Sequence, residues 1–435
     1  MAIRSVAQGI WGAAASQEPP GGPSLVAHRV ARVLRPVTMA AVLIWFGVAP
    51  LPGQIRVTPH PPPPRPKGMP GYMPIAKPWE NVPATFHNIY KFPEWPVPTD
   101  LEDWEKHRRE QTLQQVLKLL GDRPPRRVPP RAKVTRTEDR GDHVAEYFEL
   151  DNGYDMIITG LLLRPKGLKA RAPAIVAIHG WSGYKDNLLT RVGHYDELVG
   201  PMLVKRGYVV AAIDAYFQGD RLGKGPNDMR TIRQLKDNPQ RIKMLQVRAL
   251  VGINALFGRP MLGMVVRDQQ CLIDYLQSRP EVDPDRIGVT GMSYGNSTGY
   301  WLTAIDPRVK AFVGVACFTR LQQLIQQGYA HYHAMNYYVT GMLKHFDTEA
   351  LFALIAPRPM LQLNGDSDPS CPVDGIEILE RKVGAVYRMY GKPEHFQSVV
   401  YRDTGHIYLP DMKRRMLAWF LKYLPPDAAS RPQPR

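Results

Sequence analysis

From about Ala132 onward, short, continuous apolar runs alternate with helical stretches. No other feature of the chain restricts its fold as much. The runs are VAEYFEL (144–150), MIITGLLLRP (156–165), AIVAIHG (174–180), YVVAAIDA (208–215), RIGVTGMS (286–293), AFVGVACF (311–318), PMLQLNG (359–365) and SVVYRDTG (398–405). The central runs have the pattern of parallel strands covered on both faces. Helical periodicity fills the intervals, notably VRDQQCLIDYLQSR (266–279) and DMKRRMLAWFLKYL (411–424). Strands separated by helices imply βαβ units and an α/β fold with a mostly parallel central sheet. A tight DNGYD turn joins the first two runs, so the sheet is expected to begin with an antiparallel hairpin.

Chemistry enters at Gly291-Met292-Ser293-Tyr294-Gly295, which follows the strand IGVT and precedes the helical NSTGYWLTAI. In that context glycines on either side permit a sharp turn that raises the serine hydroxyl above the sheet edge. A serine hydroxyl is a poor nucleophile until a base takes its proton, and the base needs a carboxylate to orient it. Both partners follow in the chain order Ser, acid, His. The acid turn LQLNGDSDPSCP offers Asp366 and Asp368; Asp368 is preferred, because the spacing from Gly365 to Pro372 puts it beyond the strand end. His406 lies in YRDTGHIY, after the last strand. An oxyanion formed by attack on a carbonyl needs fixed donors. The backbone N–H of Tyr294 supplies one, and the loop HGWSG after AIVAIHG supplies another, expected at Trp181.

Composition narrows the function classes. The 435 residues carry a formal net charge of +16 and 42 prolines. The basic residues are scattered, without a binding motif or an aromatic-plus-basic stripe, so nucleic acid is not an expected partner. The three cysteines, Cys271, Cys317 and Cys371, lack disulfide or metal spacing. His28, Arg29, Arg32 and Arg35 precede the apolar run TMAAVLIWFGVAPLPG. This resembles a secretory signal and is too short for a stable membrane span, which needs ~20 apolar residues, so a periplasmic or extracellular location is expected. The chain is expected to divide into a signal-like segment (1–54), a proline-rich extension with one helix beginning near Thr99 (55–131), a catalytic domain (132–425) and a short tail (426–435). The Arg-, Lys- and Met-rich stretch from Leu222 to Met264 is a candidate cap.

The segments AIVAIHGWSG, IDAYFQGDR, RPEVDPDRIGVTGMSYG, APRPMLQLNGDSDPSCP and DTGH together resemble the α/β-hydrolase superfamily, in particular dienelactone hydrolases and acetyl xylan esterases. The resemblance covers about Arg140 to Pro425. It implies an α/β-hydrolase fold and a triad of Ser293, Asp368 and His406. It also implies a serine esterase with an acyl-enzyme on Ser293, no cofactor or metal, and a small-molecule or carbohydrate ester substrate, with acetylated sugars as the leading candidates. Substrate contacts are expected from Tyr184, Tyr216, His331, Tyr332 and Ile407. Two departures stand out. Dienelactone hydrolases proper carry a cysteine where this chain has Ser293, and Asn296 replaces a glycine often found after the elbow. A peptidase of the prolyl oligopeptidase type, or a hydrolase-fold binding protein without turnover, remains an alternative.

Overall fold

The computed structural model describes residues 53–58, 77–88, 91–190 and 198–427. The signal-like stretch through Pro52 and the tail beyond Asp427 lie outside the described residues. The ten strands are β1 (Gln54–Val57), β2 (Arg131–Asp139), β3 (His143–Asp151), β4 (Ile158–Pro165), β5 (Ala172–Ile178), β6 (Val209–Ile213), β7 (Val282–Met292), β8 (Val309–Val315), β9 (Met360–Gly365) and β10 (Phe396–Tyr401). They form one sheet in the order β1-β10-β9-β8-β7-β5-β6-β4-β3-β2. Pairing is parallel from β1 through β6 along that order, and antiparallel from β6 through β4 and β3 to β2.

The expected hairpin is present as β3 and β4. A further antiparallel strand, β2, precedes it, and β1 closes the opposite edge. Neither is legible by alternation. Strand β2 (RAKVTRTED) is almost wholly exposed and buries no apolar face, and β1 has four residues. The chain ahead of β3 therefore contributes a strand to each edge of the sheet.

Six helices position the site and its surroundings: α1 (Arg109–Leu119), α2 (Pro239–Leu256), α3 (Met261–Ser278), α4 (Tyr294–Ile305), α5 (Val373–Met389) and α6 (Pro410–Tyr423). Asp100 caps the turn leading toward α1, its carboxylate accepting from Asp103 N at 2.7 Å. Val116 of α1 and the following Leu120 are fully buried in the main core with α3 and α4. Successive residues of β5 point to opposite faces: Val176 and Ile178 join that core, while Ile175 and Ala177 join a second one under α6. Among the described residues no single helix is long and apolar enough to cross a membrane.

The stretch beginning at Leu222 holds a short helix (Met229–Gln234) and then α2. It is tied down by Arg221, whose guanidinium pairs with Asp268 of α3 at 2.8 Å, both side chains being buried. Asp268→Ala leaves that cation buried and uncompensated. We expect it to cost about 3–5 kcal/mol of stability, read from the urea midpoint. A loss below about 1 kcal/mol would show that the pair does not anchor this stretch.

Candidate active site

Strand β7 ends at Met292, and α4 begins at Tyr294. Between them Ser293 turns the chain with φ +57° and ψ −116°, a conformation disfavoured for a residue with a Cβ. The turn presses against β5: a Cβ on Gly295 would stand 1.9 Å from the Ile178 carbonyl oxygen, so only glycine fits. Asn296, the departure noted in the sequence, is matched by its surroundings. Its amide donates to Ala316 O and to Gln362 Oε1 (3.0 Å), and its Oδ1 occupies the space a Cβ on Gly314 would need.

Asp368 sits in the turn between β9 and α5, and His406 in the loop between β10 and α6. The two side chains meet with Nδ1 of His406 2.7 Å from Asp368 Oδ2. The carboxylate is fully buried. Its Oδ1 accepts from Ser370 N (2.8 Å) and Ser370 Oγ (2.7 Å), and Cys371 Sγ donates to Oδ2 at 3.3 Å. Burial alone pushes a carboxyl up, but the His406 charge and these hydrogen bonds outweigh it and hold Asp368 below the ordinary carboxylate range. Burial likewise opposes the His406 imidazolium; Asp368 overrides it and raises His406 above an ordinary imidazole. Asp366 has a different task. It accepts from Ser367 Oγ and Thr404 N, tying the acid turn to the His406 loop.

Ser293 is 7% exposed. Cys317 Sγ approaches its Oγ at 4.0 Å and donates to Ser370 Oγ at 3.6 Å. Burial pushes the Cys317 thiol up to about 12 and Cys371 well above its ordinary value. Both therefore stay protonated near neutral pH and are poor nucleophiles.

Opposite the elbow, Trp181 follows β5, its ring edge-on to Tyr294 with centroids 5.9 Å apart. Lys243 of α2 donates to the Trp181 carbonyl (2.9 Å) and lies over its indole at 4.4 Å. In the orientation that satisfies its hydrogen bonds, the Gln218 amide also donates to Trp181 O, at 3.0 Å, and to Gly183 O. Among the described residues no carboxylate pairs with Lys243, and burial pushes its pKa down to about 8. His179 steadies the same loop, its Nδ1 donating to Gly180 O (2.8 Å) while Nε2 accepts from Ala215 N (3.1 Å).

The residues expected to contact substrate are placed unequally. Tyr184 and Tyr332 are half-buried. Ile407, next to His406, packs against the second core. His331 is exposed and packs, tilted, against Tyr332 with ring centroids 4.4 Å apart. Tyr216 is buried, donates to Asp155 Oδ2 at 2.6 Å and is covered by Arg221 at 4.1 Å, so its hydroxyl is committed to the protein. His333, not singled out as a contact, is buried and bonded to Ser370 O at 2.9 Å. Lys243 was hidden because one lysine in a basic helix carries no distinguishing pattern.

Mostly parallel strands running up to a strained serine turn define the α/β-hydrolase class. Comparison with known proteins is more specific: the chain belongs to the Abhydrolase family, whose model matches residues 84–407. It is 31% identical over 322 residues to YtaP of Bacillus subtilis (strain 168), covering 73% of this chain and all of that protein. Among solved structures it is similar to the methylesterase BT1017 (TM-score 0.54, 16% identity, 78% of this chain and 68% of that one). It is also similar to a glucuronoyl esterase from Solibacter usitatus (TM-score 0.52, 15% identity, 76% and 98%).

The close approach at the elbow gives a direct test. Gly295→Ala must move α4 or β5, and we expect it to lose about 3 kcal/mol or more in urea unfolding. Stability within about 0.5 kcal/mol of the parent would show that the elbow has room to relax.

Proposed function

We propose that this hydrolase cleaves carboxylic esters through an acyl-enzyme on Ser293, with His406 as base and Asp368 as the orienting acid. The observation that carries the reading is the buried Asp368–His406 pair, in contact through Ser370 and Cys317 with a serine held in a strained turn. Asp368 accepts the Nδ1 proton, so Nε2 of His406 is the lone pair left to take the Ser293 proton. After the alcohol leaves, the same nitrogen activates water for deacylation.

The backbone N–H groups of Tyr294 and Trp181 are the proposed oxyanion donors. Tyr294 N opens α4, where the helix dipole adds to its pull on negative charge. The Trp181 loop is held from behind by Lys243 and Gln218. The chemistry proposed uses side chains and backbone only and calls for no cofactor. Ester rather than amide cleavage is favoured by the names of the similar methylesterase and glucuronoyl esterase. The same names favour a carbohydrate ester as substrate, and small acyl esters of sugars, acetyl esters first, are the class we propose. Tyr184, Tyr332 and Ile407 are the proposed contacts. The basic-then-apolar N-terminal pattern favours an exported enzyme.

The test is turnover of p-nitrophenyl acetate against p-nitrophenyl octanoate by the parent, Ser293→Ala and Asp368→Asn. We expect acetate to be preferred and each variant to lose at least about 10³-fold in kcat. Activity surviving in Ser293→Ala would remove Ser293 as nucleophile. The pH profile gives a second check. His406 must be neutral to act, and its pKa is raised. The acid limb of kcat/KM should therefore lie above the ordinary imidazole value of about 6.5. A limb below it would contradict the pairing with Asp368.

A further inference from the structure

The Asp368–His406 pair has a third oxygen in contact with it. Ser370 Oγ is 2.7 Å from Asp368 Oδ1 and 2.9 Å from His406 Nδ1, while that same Nδ1 is 2.7 Å from Asp368 Oδ2. The proton positions follow from the chemistry of the groups. An ionised carboxylate only accepts, so the Ser370 hydroxyl proton points at Oδ1 and the Nδ1 proton points toward Oδ2. The lone pairs of Ser370 Oγ are then free to accept, and they face the Nδ1 proton of His406 and the thiol of Cys317 at 3.6 Å. One hydroxyl thus donates to the acid and accepts from the base.

The main chain of Ser370 is fixed as well. Its N–H is held by Asp368 Oδ1, and its carbonyl accepts from Nε2 of His333 at 2.9 Å. Burial pushes His333 down to about 4, so it is neutral at working pH and Nε2 carries the proton this bond requires. The His333 ring packs on Tyr337 (4.9 Å), and Tyr337 packs on Tyr294 (4.8 Å), the residue after the nucleophile. The acid turn and the elbow are therefore connected through packed groups that pass by way of Ser370.

We propose, building on the triad assignment, that Ser370 is a positioning residue for His406: its hydroxyl holds the Nδ1–H tautomer and the ring plane, and stabilises the imidazolium formed when Ser293 is deprotonated. Asp368 alone offers Nδ1 a single oxygen about which the imidazole can swing. A second acceptor for that proton, tied to the same carboxylate, removes the freedom. Among the described residues the titratable groups around His406 include Asp368 and Cys371 in the acid turn, Cys317 after β8 and His333; Asp366 bonds its loop at Thr404 N, and the loop itself carries Asp403.

The experiment compares Ser370→Ala and Ser370→Thr with the parent on p-nitrophenyl acetate across pH, with urea unfolding in parallel. Fluorophosphonate labelling of Ser293 and NMR titration of His406 complete the set. Ser370→Ala should lose about ten- to a hundredfold in kcat, the equivalent of one hydrogen bond to a charged group, with KM within about twofold of the parent. Threonine, which keeps the hydroxyl, should restore most of the rate. Removing an acceptor from the imidazolium lowers its pKa. The acid limb of the alanine variant should therefore move to lower pH, and the NMR titration with it. A rate within twofold of the parent, an unmoved or raised limb, or a loss that threonine does not restore would each overturn the proposal. If the parent itself resists the fluorophosphonate, the triad assignment fails. The NMR titrations of parent and alanine variant then still decide whether Ser370 acts on His406.

Discussion

A carboxylate with no contact to water must be compensated by the protein, and the end of the molecule around Asp368 is organised around that requirement. Among the described residues Asp368 has one ion-pair partner, His406, and no arginine or lysine. Its remaining lone pairs are taken by a backbone N–H, a hydroxyl and a thiol from the next three residues. Because those donors come from its own turn, the turn must keep one conformation, and that conformation fixes where the imidazole can sit. A lysine partner would have neutralised Asp368 equally well, but it would have diminished the carboxylate's pull on His406. Local donors keep the charge ionised while leaving most of its field for the base.

The elbow is rigid for a different reason. Its strain is held by contacts that only small residues allow, with the Ile178 carbonyl against Gly295 and Asn296 reaching into the space above Gly314. Asn296 carries out by hydrogen bonding what a glycine achieves elsewhere by absence, joining α4 to β8 and β9. The cost falls on the neighbouring strand, which must have glycine at 314. Helix α2 enters the same arrangement through Lys243, a buried cation with no carboxylate partner among the described residues, whose ammonium rests on the Trp181 carbonyl and indole.

How much of this could be read in advance depended on the physics of each signal. The central strands were legible because parallel strands buried on both faces leave continuous apolar runs. The elbow was legible because glycines flank a serine at a strand end. Strand β2 was not, since it buries nothing and its residues alternate charge rather than hydrophobicity. Chain order and strand ends sufficed to bring Asp368 and His406 forward, and the structure places them in contact. Side-chain destinations were harder. Tyr216 looked like a substrate contact, yet it spends its hydroxyl on Asp155, and His333 rather than its neighbour His331 reaches the acid turn. Such choices depend on the direction a side chain takes from a short irregular turn, which periodicity does not encode.

The pairing of β1 with β10 bears on how the chain is made. The first of these strands to leave the ribosome pairs with the last strand of the sheet, and Arg56 pairs with Glu380, 324 positions away. Until nearly the whole polypeptide has been synthesised, that edge of the sheet has no partner to offer. Closing so long a loop is slow, so the chain would remain incomplete and accessible throughout its production. Completion of that edge is thereby tied to completion of the chain itself, and the C-terminal third of the sequence decides when the N-terminal strand can settle.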